Sequence, residues 1–116
     1  MMALLSPSKS MDMEILSNQS ATLPDFLAKS EKLIQQLRKM NTDELSEFME
    51  ISNKLATLNK ERFQNWTPKF SAKNSKPALL AFTGDVYDGL DANTLEATDQ
   101  AYAQDHLRIL SGLYGI

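Results

Sequence analysis

Few side chains in this sequence could do chemistry, and each also has a plainer use. Asp85 follows Gly84 in Thr83-Gly84-Asp85, where a carboxylate could act as a general base or bind a hard cation. Gly-Asp is equally ordinary turn chemistry. Lys9 lies in the turn Ser6-Pro7-Ser8-Lys9, which could offer its ammonium to a phosphate or carboxylate, or only to water. Ile51, Leu55, Leu58 and Arg62 share one stripe if they lie on an unbroken helix. The guanidinium would then either snorkel past the helix end or meet an acid or phosphate. Tyr87 and Tyr114 could stack on bases or sugars, or pack in a core with a hydrogen-bonded hydroxyl. Trp66 reads as a core or boundary aromatic. His106 is the single histidine and reads as structural.

Other chemistries are excluded. The chain has no cysteine, which removes disulfides, iron–sulfur clusters, thiolate catalysis and Cys-ligated zinc. One histidine cannot build a His-rich metal site, and no metal site is expected. Asp85, Asp88 and Asp91 lie too close to glycine turns to close a cage around a cation. Phosphate-loop and dinucleotide glycine patterns are absent, as is a Gly-x-Ser-x-Gly elbow. No cofactor is expected.

The elements that must position these residues follow from the apolar spacing. Residues 2–6 form a short apolar run stopped by Pro7, which predicts a buried strand. Residues 17–20 are polar and predict a loop. Thr22, Pro24 and Asp25 are a helix start, with Thr22 as N-cap, and Phe26, Leu27, Leu33, Ile34, Leu37 and Met40 carry it to about residue 40. Thr42, Asp43 and Glu44 open a second helix, Ser52 or Asn53 interrupts it, and a third helical stretch runs to Trp66-Thr67-Pro68. Residues 67–77 read as a loop, and residues 78–82 as a second buried strand. Thr94 or Thr98 caps a helix through about Asp105, and residues 106–111 read as a third strand stopped by Gly112.

Strands separated by helices predict a mixed α/β fold with a small, partly parallel sheet. Parallel strands share one C-terminal edge, where open α/β sheets bind ligands. Ser6, Gly84, Asp85, Tyr87, Ser111, Gly112, Tyr114 and Gly115 are therefore expected to line a cleft there. Leu107-x-x-Leu110-x-Gly112-Leu113-x-Gly115 also loosely resembles the first half of a helix-hairpin-helix, whose hairpin amides face DNA phosphates. The strand reading of this segment is preferred.

Composition is that of an ordinary globular chain: 42% hydrophobic and 23% charged residues argue against disorder. No apolar run is long enough to span a membrane. No secretory signal is recognisable, so a cytosolic location is the default expectation. Charge is uneven. Residues 54–76 hold six cations (Lys54, Lys60, Arg62, Lys69, Lys73, Lys76) against Glu61, a net +5. Residues 85–105 hold six acids and no Lys or Arg, a net −6. Such a segment can be a basic face for phosphates or a solvated surface. The apolar C-terminus (Leu113, Tyr114, Ile116) suggests a buried element or a fragment of something longer.

Four segments carry a family resemblance. Ser6-Pro7-Ser8-Lys9-Ser10-Met11-Asp12 resembles the opening Ser-Pro-Ala-Lys-Thr-Leu-Asp of the YaaA family of bacterial peroxide-stress proteins. Residues 51–59 with Arg62, Phe63 and Trp66 resemble its central helical motif. Residues 81–90 resemble its Phe-Lys-Gly-Asp-Val-Tyr block, and residues 106–115 its Leu-Arg-x-Leu-Ser-Gly-Leu-Tyr-Gly motif. The resemblance implies a cytosolic protein that limits iron-linked oxidative damage under hydrogen peroxide. It also implies DNA binding through a basic cleft and a helix-hairpin-helix, and assigns no enzymatic reaction. Lys9, Lys54, Arg62, Lys69, Lys73, Lys76 and Arg108 would then contact phosphates. Thr83 stands where the family pattern has lysine. The family pattern also continues past Ile116, so residues 1–116 are expected to form the N-terminal half of a larger single-domain fold, poorly soluble in isolation. Two alternatives accompany DNA binding: an enzyme acting on a nucleotide or nucleic acid at the strand-end loops, and an iron-lowering protein.

Overall fold

The structure is a computed structural model that describes residues 1–14 and 21–116; the loop expected over residues 17–20 lies outside the described residues. The fold is mixed α/β, with two compact units, one of residues 26–69 and one of residues 1–25 with 70–116.

The unit of residues 26–69 is helical. Helix α1 (Leu27–Leu37) buries Ser30 and Ile34, one turn apart on the same face. It starts later than the sequence predicts: Phe26, not Thr22, is the N-cap, and no side chain caps it. Helix α2 (Thr42–Met49) opens with a capping box. Asn41 accepts from the Glu44 amide at 2.9 Å and Glu44 accepts from the Asn41 amide at 3.2 Å. Glu50 ends α2 in the left-handed region at φ 53°. Ser52 then caps α3 (Asn53–Asn65) by accepting from the Leu55 amide at 3.2 Å. That break removes Ile51 from the expected stripe. The buried face of α3 is carried by Ala56 and Asn59 instead, and Leu58 is exposed.

Two cations join the helix ends. The Arg38 guanidinium donates to the Phe63 and Trp66 carbonyls at the end of α3, both at 2.7 Å. The Lys60 ammonium donates to the Arg38 carbonyl at 2.8 Å and to the Met40 carbonyl, at the end of α1. Each helix thus has its last carbonyls satisfied by a charge from the other. Such charge-assisted bonds contribute about 1.5–3 kcal/mol each.

The second unit is built on β1 (Ala3–Leu5) and β2 (Leu107–Ile109), paired parallel with Ala3 opposite Leu107 and Leu5 opposite Ile109. Residues 78–82 do not form the second strand expected of them: residues Ala78–Ala81 are a helical turn, α4. Pro77 supplies the fixed φ of a helix start, and Ala-Leu-Leu-Ala has strong helical preference, so the apolar run winds up. Only Phe82 keeps extended pairing, as an antiparallel bridge to Met11. Backbone bonds hold that contact: Asp12 N–H to Ala81 O at 2.7 Å and Thr83 N–H to Ser10 O at 3.1 Å. Helix α5 (Asp85–Leu90) and a short 3-10 turn (Ala92–Thr94) follow. Helix α6 (Ala97–His106) then leads into β2. Neither Thr94 nor Thr98 caps α6; Glu96 is its N-cap, with Asp99 accepting from the Glu96 amide at 3.2 Å. Ala81, Tyr87 and Ala92 are the buried apolar residues described for this unit.

Candidate functional site

Parallel pairing brings the C-terminal ends of β1 and β2 to one edge of the sheet, as the sequence requires. From β1 the chain runs into Ser6-Pro7-Ser8. The α4–α5 junction brings Thr83 and Gly84 to the same place. Gly84 sits at φ 115° and ψ 177°, a conformation open to glycine almost alone. A side-chain carbon there would lie 3.6 Å from the Ser8 hydroxyl, so space is not the constraint; the backbone angle is.

A cavity of about 200 Å³ lies between these loops, lined by Ser6, Pro7, Ser8, Gly84, Asp85 and Tyr87 among others. Tyr87 fixes its floor. Its hydroxyl donates to the Ser6 carbonyl, and its ring lies 5.4 Å from that of Phe82. Burial pushes the Tyr87 phenol above its ordinary pKa. Asp85 is exposed as the first residue of α5. Ser8 anchors the loop by accepting from the Ser10 amide at 3.2 Å. The arrangement offers hydroxyls and one carboxylate around a small opening, suited to holding a polar group.

The other four expected lining residues do not share this cavity. Ser111, Gly112, Tyr114 and Gly115 form a hairpin closed on itself. Ser111 and Gly115 exchange backbone bonds at 2.7 and 2.9 Å, and the Ser111 hydroxyl accepts from the Leu113 and Tyr114 amides at 3.2 and 3.0 Å. The Ser111, Leu113, Tyr114 and Gly115 amides, which a phosphate-binding hairpin would point outward, are therefore occupied internally. The Tyr114 ring meets Phe70 edge-on at 6.1 Å.

Sequence reasoning missed a second cavity, of about 120 Å³, behind Tyr87. Asp12, Phe82, Tyr87, Asp88, Asp91 and Asn93 are among its lining residues. The signal was available only in part, because Asp12 lies far from the aspartates of α5 in sequence. Among the described residues no group of three or more His, Cys, Asp or Glu could hold a metal ion.

The cations expected to meet phosphate divide between the two units. Lys54, Arg62 and Lys69 belong to residues 26–69, and Lys9, Lys73, Lys76 and Arg108 to the other unit. Lys9, Lys54, Lys69 and Lys73 are exposed, and Arg62 is half-buried in the last turn of α3. Lys76 is engaged: its side chain is only 3% exposed, 4.0 Å from the Asp12 carboxylate, and donates to the Asp12 carbonyl at 3.0 Å. Arg108 donates to the Gln104 and Leu107 carbonyls at 2.6 and 2.8 Å. His106 stacks on Tyr102 at 3.9 Å, and its Nδ1 lies 2.8 Å from the Tyr102 carbonyl, so that nitrogen carries the proton. This is the structural role expected of it.

A family model described as peroxide stress protein YaaA matches residues 1–116. The chain is 54% identical to a UPF0246 protein of Cupriavidus metallidurans over its whole length, and covers 45% of that relative. It is 52% identical to a UPF0246 protein of Ralstonia nicotianae, covering 46% of it, and 49% identical to one of a Janthinobacterium species, covering 45%. The chain thus spans under half the length of these curated relatives. Matched end to end by that model, it belongs to the peroxide stress protein YaaA family.

Proposed function

We propose that these 116 residues are the N-terminal portion of a cytoplasmic protein that limits iron-linked oxidative DNA damage under peroxide stress, and that they contribute contacts to DNA phosphates. The observation that supports this is the net +5 of residues 54–76, from which Lys54, Lys69 and Lys73 stand exposed. Lys60 and Lys76 add to that charge but hold the fold together, at the α1 end and on Asp12 respectively. In this reading phosphate contact falls to the exposed Lys54, Lys69 and Lys73, with Lys9 in the loop after β1 and Arg62 at the end of α3.

The test is binding of duplex DNA as salt rises. Affinity should fall linearly on logarithmic axes, and each removed contact, as in Lys54→Ala or Lys73→Ala, should reduce the slope by about 0.9. Absence of binding at low salt, or binding with no salt dependence, would sink the reading.

One observation favours a second reading. The cavity of Ser6, Ser8, Gly84, Asp85 and Tyr87 is of a size for a small polar group such as a phosphate or a sugar hydroxyl. In that reading Asp85 is a general base acting on a nucleotide or nucleic acid. Asp85→Ala should then abolish peroxide protection in cells while leaving DNA affinity unchanged. Protection that survives this substitution rejects it.

A further inference from the structure

Among the described residues one largely apolar face and one edge of the sheet are left open. Side chains alternate along a strand, and residues opposite one another in parallel register share a face. Leu4 lies opposite Arg108, so Met2, Leu4, Arg108 and Leu110 share one face of the sheet, with the Arg108 guanidinium turned back onto the Gln104 and Leu107 carbonyls. Met2, Leu4 and Leu110 are 48%, 55% and 43% exposed. On the other face Leu5, Leu107 and Ile109 are half-buried and the small Ala3 is exposed. The edge of β1 is open as well. The Leu110 amide donates to the Leu5 carbonyl at 2.9 Å, which turns Leu5 toward β2. Alternation then turns the Leu4 amide and carbonyl outward, and no third strand joins the sheet among the described residues.

This is an unstable way to leave a parallel sheet. Parallel sheets are covered on both faces, and two strands alone are marginal. The relatives supply the missing material, since 54–55% of their length lies outside the region matched here. We propose that the face of Met2, Leu4 and Leu110, with the outer edge of β1, is a docking surface for that remaining part of a family-length polypeptide. A strand pairs with β1 at Leu4 and an apolar segment covers Leu4 and Leu110. A second copy of this chain fits less well. A two-fold through β1 would pair three residues and bring together two chains of net charge −3. Such a contact falls well short of the roughly 1,000 Å² of a stable interface. The inference does not depend on what the family binds.

The experiment compares the 116-residue chain with a chimera in which it replaces the matched region of the Cupriavidus metallidurans protein. Hydrogen exchange is followed in peptides containing Leu4 and Leu110. Exchange in the chimera should be slower by about tenfold or more. Leu4→Glu and Leu110→Glu should lower the melting temperature of the chimera by several degrees, or unfold it, while leaving that of the 116-residue chain within about a degree. The same peptides in the intact Cupriavidus metallidurans protein provide the comparison without a chimera. Equal exchange in the short and long chains overturns the proposal. So does concentration-dependent protection in the short chain that Leu110→Glu removes, which would give the face to a second copy.

Discussion

Residues 26–69 and the sheet-bearing unit solve the same problem in opposite ways. In the helical unit the polar ends are closed internally: Asn41 and Glu44 box the start of α2, and Arg38 and Lys60 satisfy carbonyls at the ends of α3 and α1. In the sheet-bearing unit the strands are short, the edge of β1 is open, and Met2, Leu4 and Leu110 face outward. The first unit uses its charge for its own stability. The second leaves its apolar face and its strand-end cavity available. The net charge of a segment therefore overstates what a ligand can meet, because Arg38, Lys60 and Lys76 are structural parts.

The comparison can be broken most forcefully at Arg38. Arg38→Ala removes both bonds to the end of α3 and should destabilise the helical unit by about 2–4 kcal/mol, read from urea unfolding followed by helical circular dichroism. A loss under about 0.5 kcal/mol would show that the carbonyls are as well served by water. Gly84→Ala comes next. Its φ of 115° should cost about 1–3 kcal/mol in any other residue and shift the Ser8 loop, visible as amide chemical-shift changes at Ser6–Ser8. Tyr87→Phe should cost about 1 kcal/mol by leaving the Ser6 carbonyl without its donor. The pH dependence sharpens this. With the phenol raised in the folded state, the folded protein holds its proton longer than the unfolded chain. The stabilisation is fully present below the unfolded value of about 10 and is lost as pH rises through the folded value, so the wild type should weaken on alkaline titration more than Tyr87→Phe. Smallest in stability, within about 0.5 kcal/mol, are Lys54→Ala and Lys73→Ala at exposed positions. A larger loss at either would mean that these lysines, too, serve the fold.

What the sequence disclosed follows the same division. The helix start at Thr42 and the interruption at Ser52 or Asn53 are readable because the caps there are local. The parallel pairing of the first and last strands was readable because both are short apolar runs bounded by Pro7 and Gly112. Residues 78–82 were misread because a four- or five-residue apolar run has no period; Pro77 and the alanines decided for a helical turn. The Arg62 stripe failed at Glu50, whose left-handed backbone no pattern of apolar spacing announces. In the site, Ser6, Gly84, Asp85 and Tyr87 line one cavity although residues 78–82 are no strand, because the Met11–Phe82 bridge holds the α4–α5 junction beside the loop after β1. The hairpin of Ser111 to Gly115 did not join them, because its amides are drawn to the Ser111 hydroxyl. The engagement of Lys60 and Lys76 depends on contacts far apart in sequence, and no local motif encodes it.

The pairing of Ala3 with Leu107 also sets an order of events on the ribosome. β1 is made well before its partner β2 and must wait for it, while every contact within residues 26–69 is made between segments exported before β2. Loop-closure entropy delays the sheet further. The helical unit thus has time to form as an insertion while the two strands that frame it are still apart, and the nascent chain carries an unpaired apolar strand until β2 is exported.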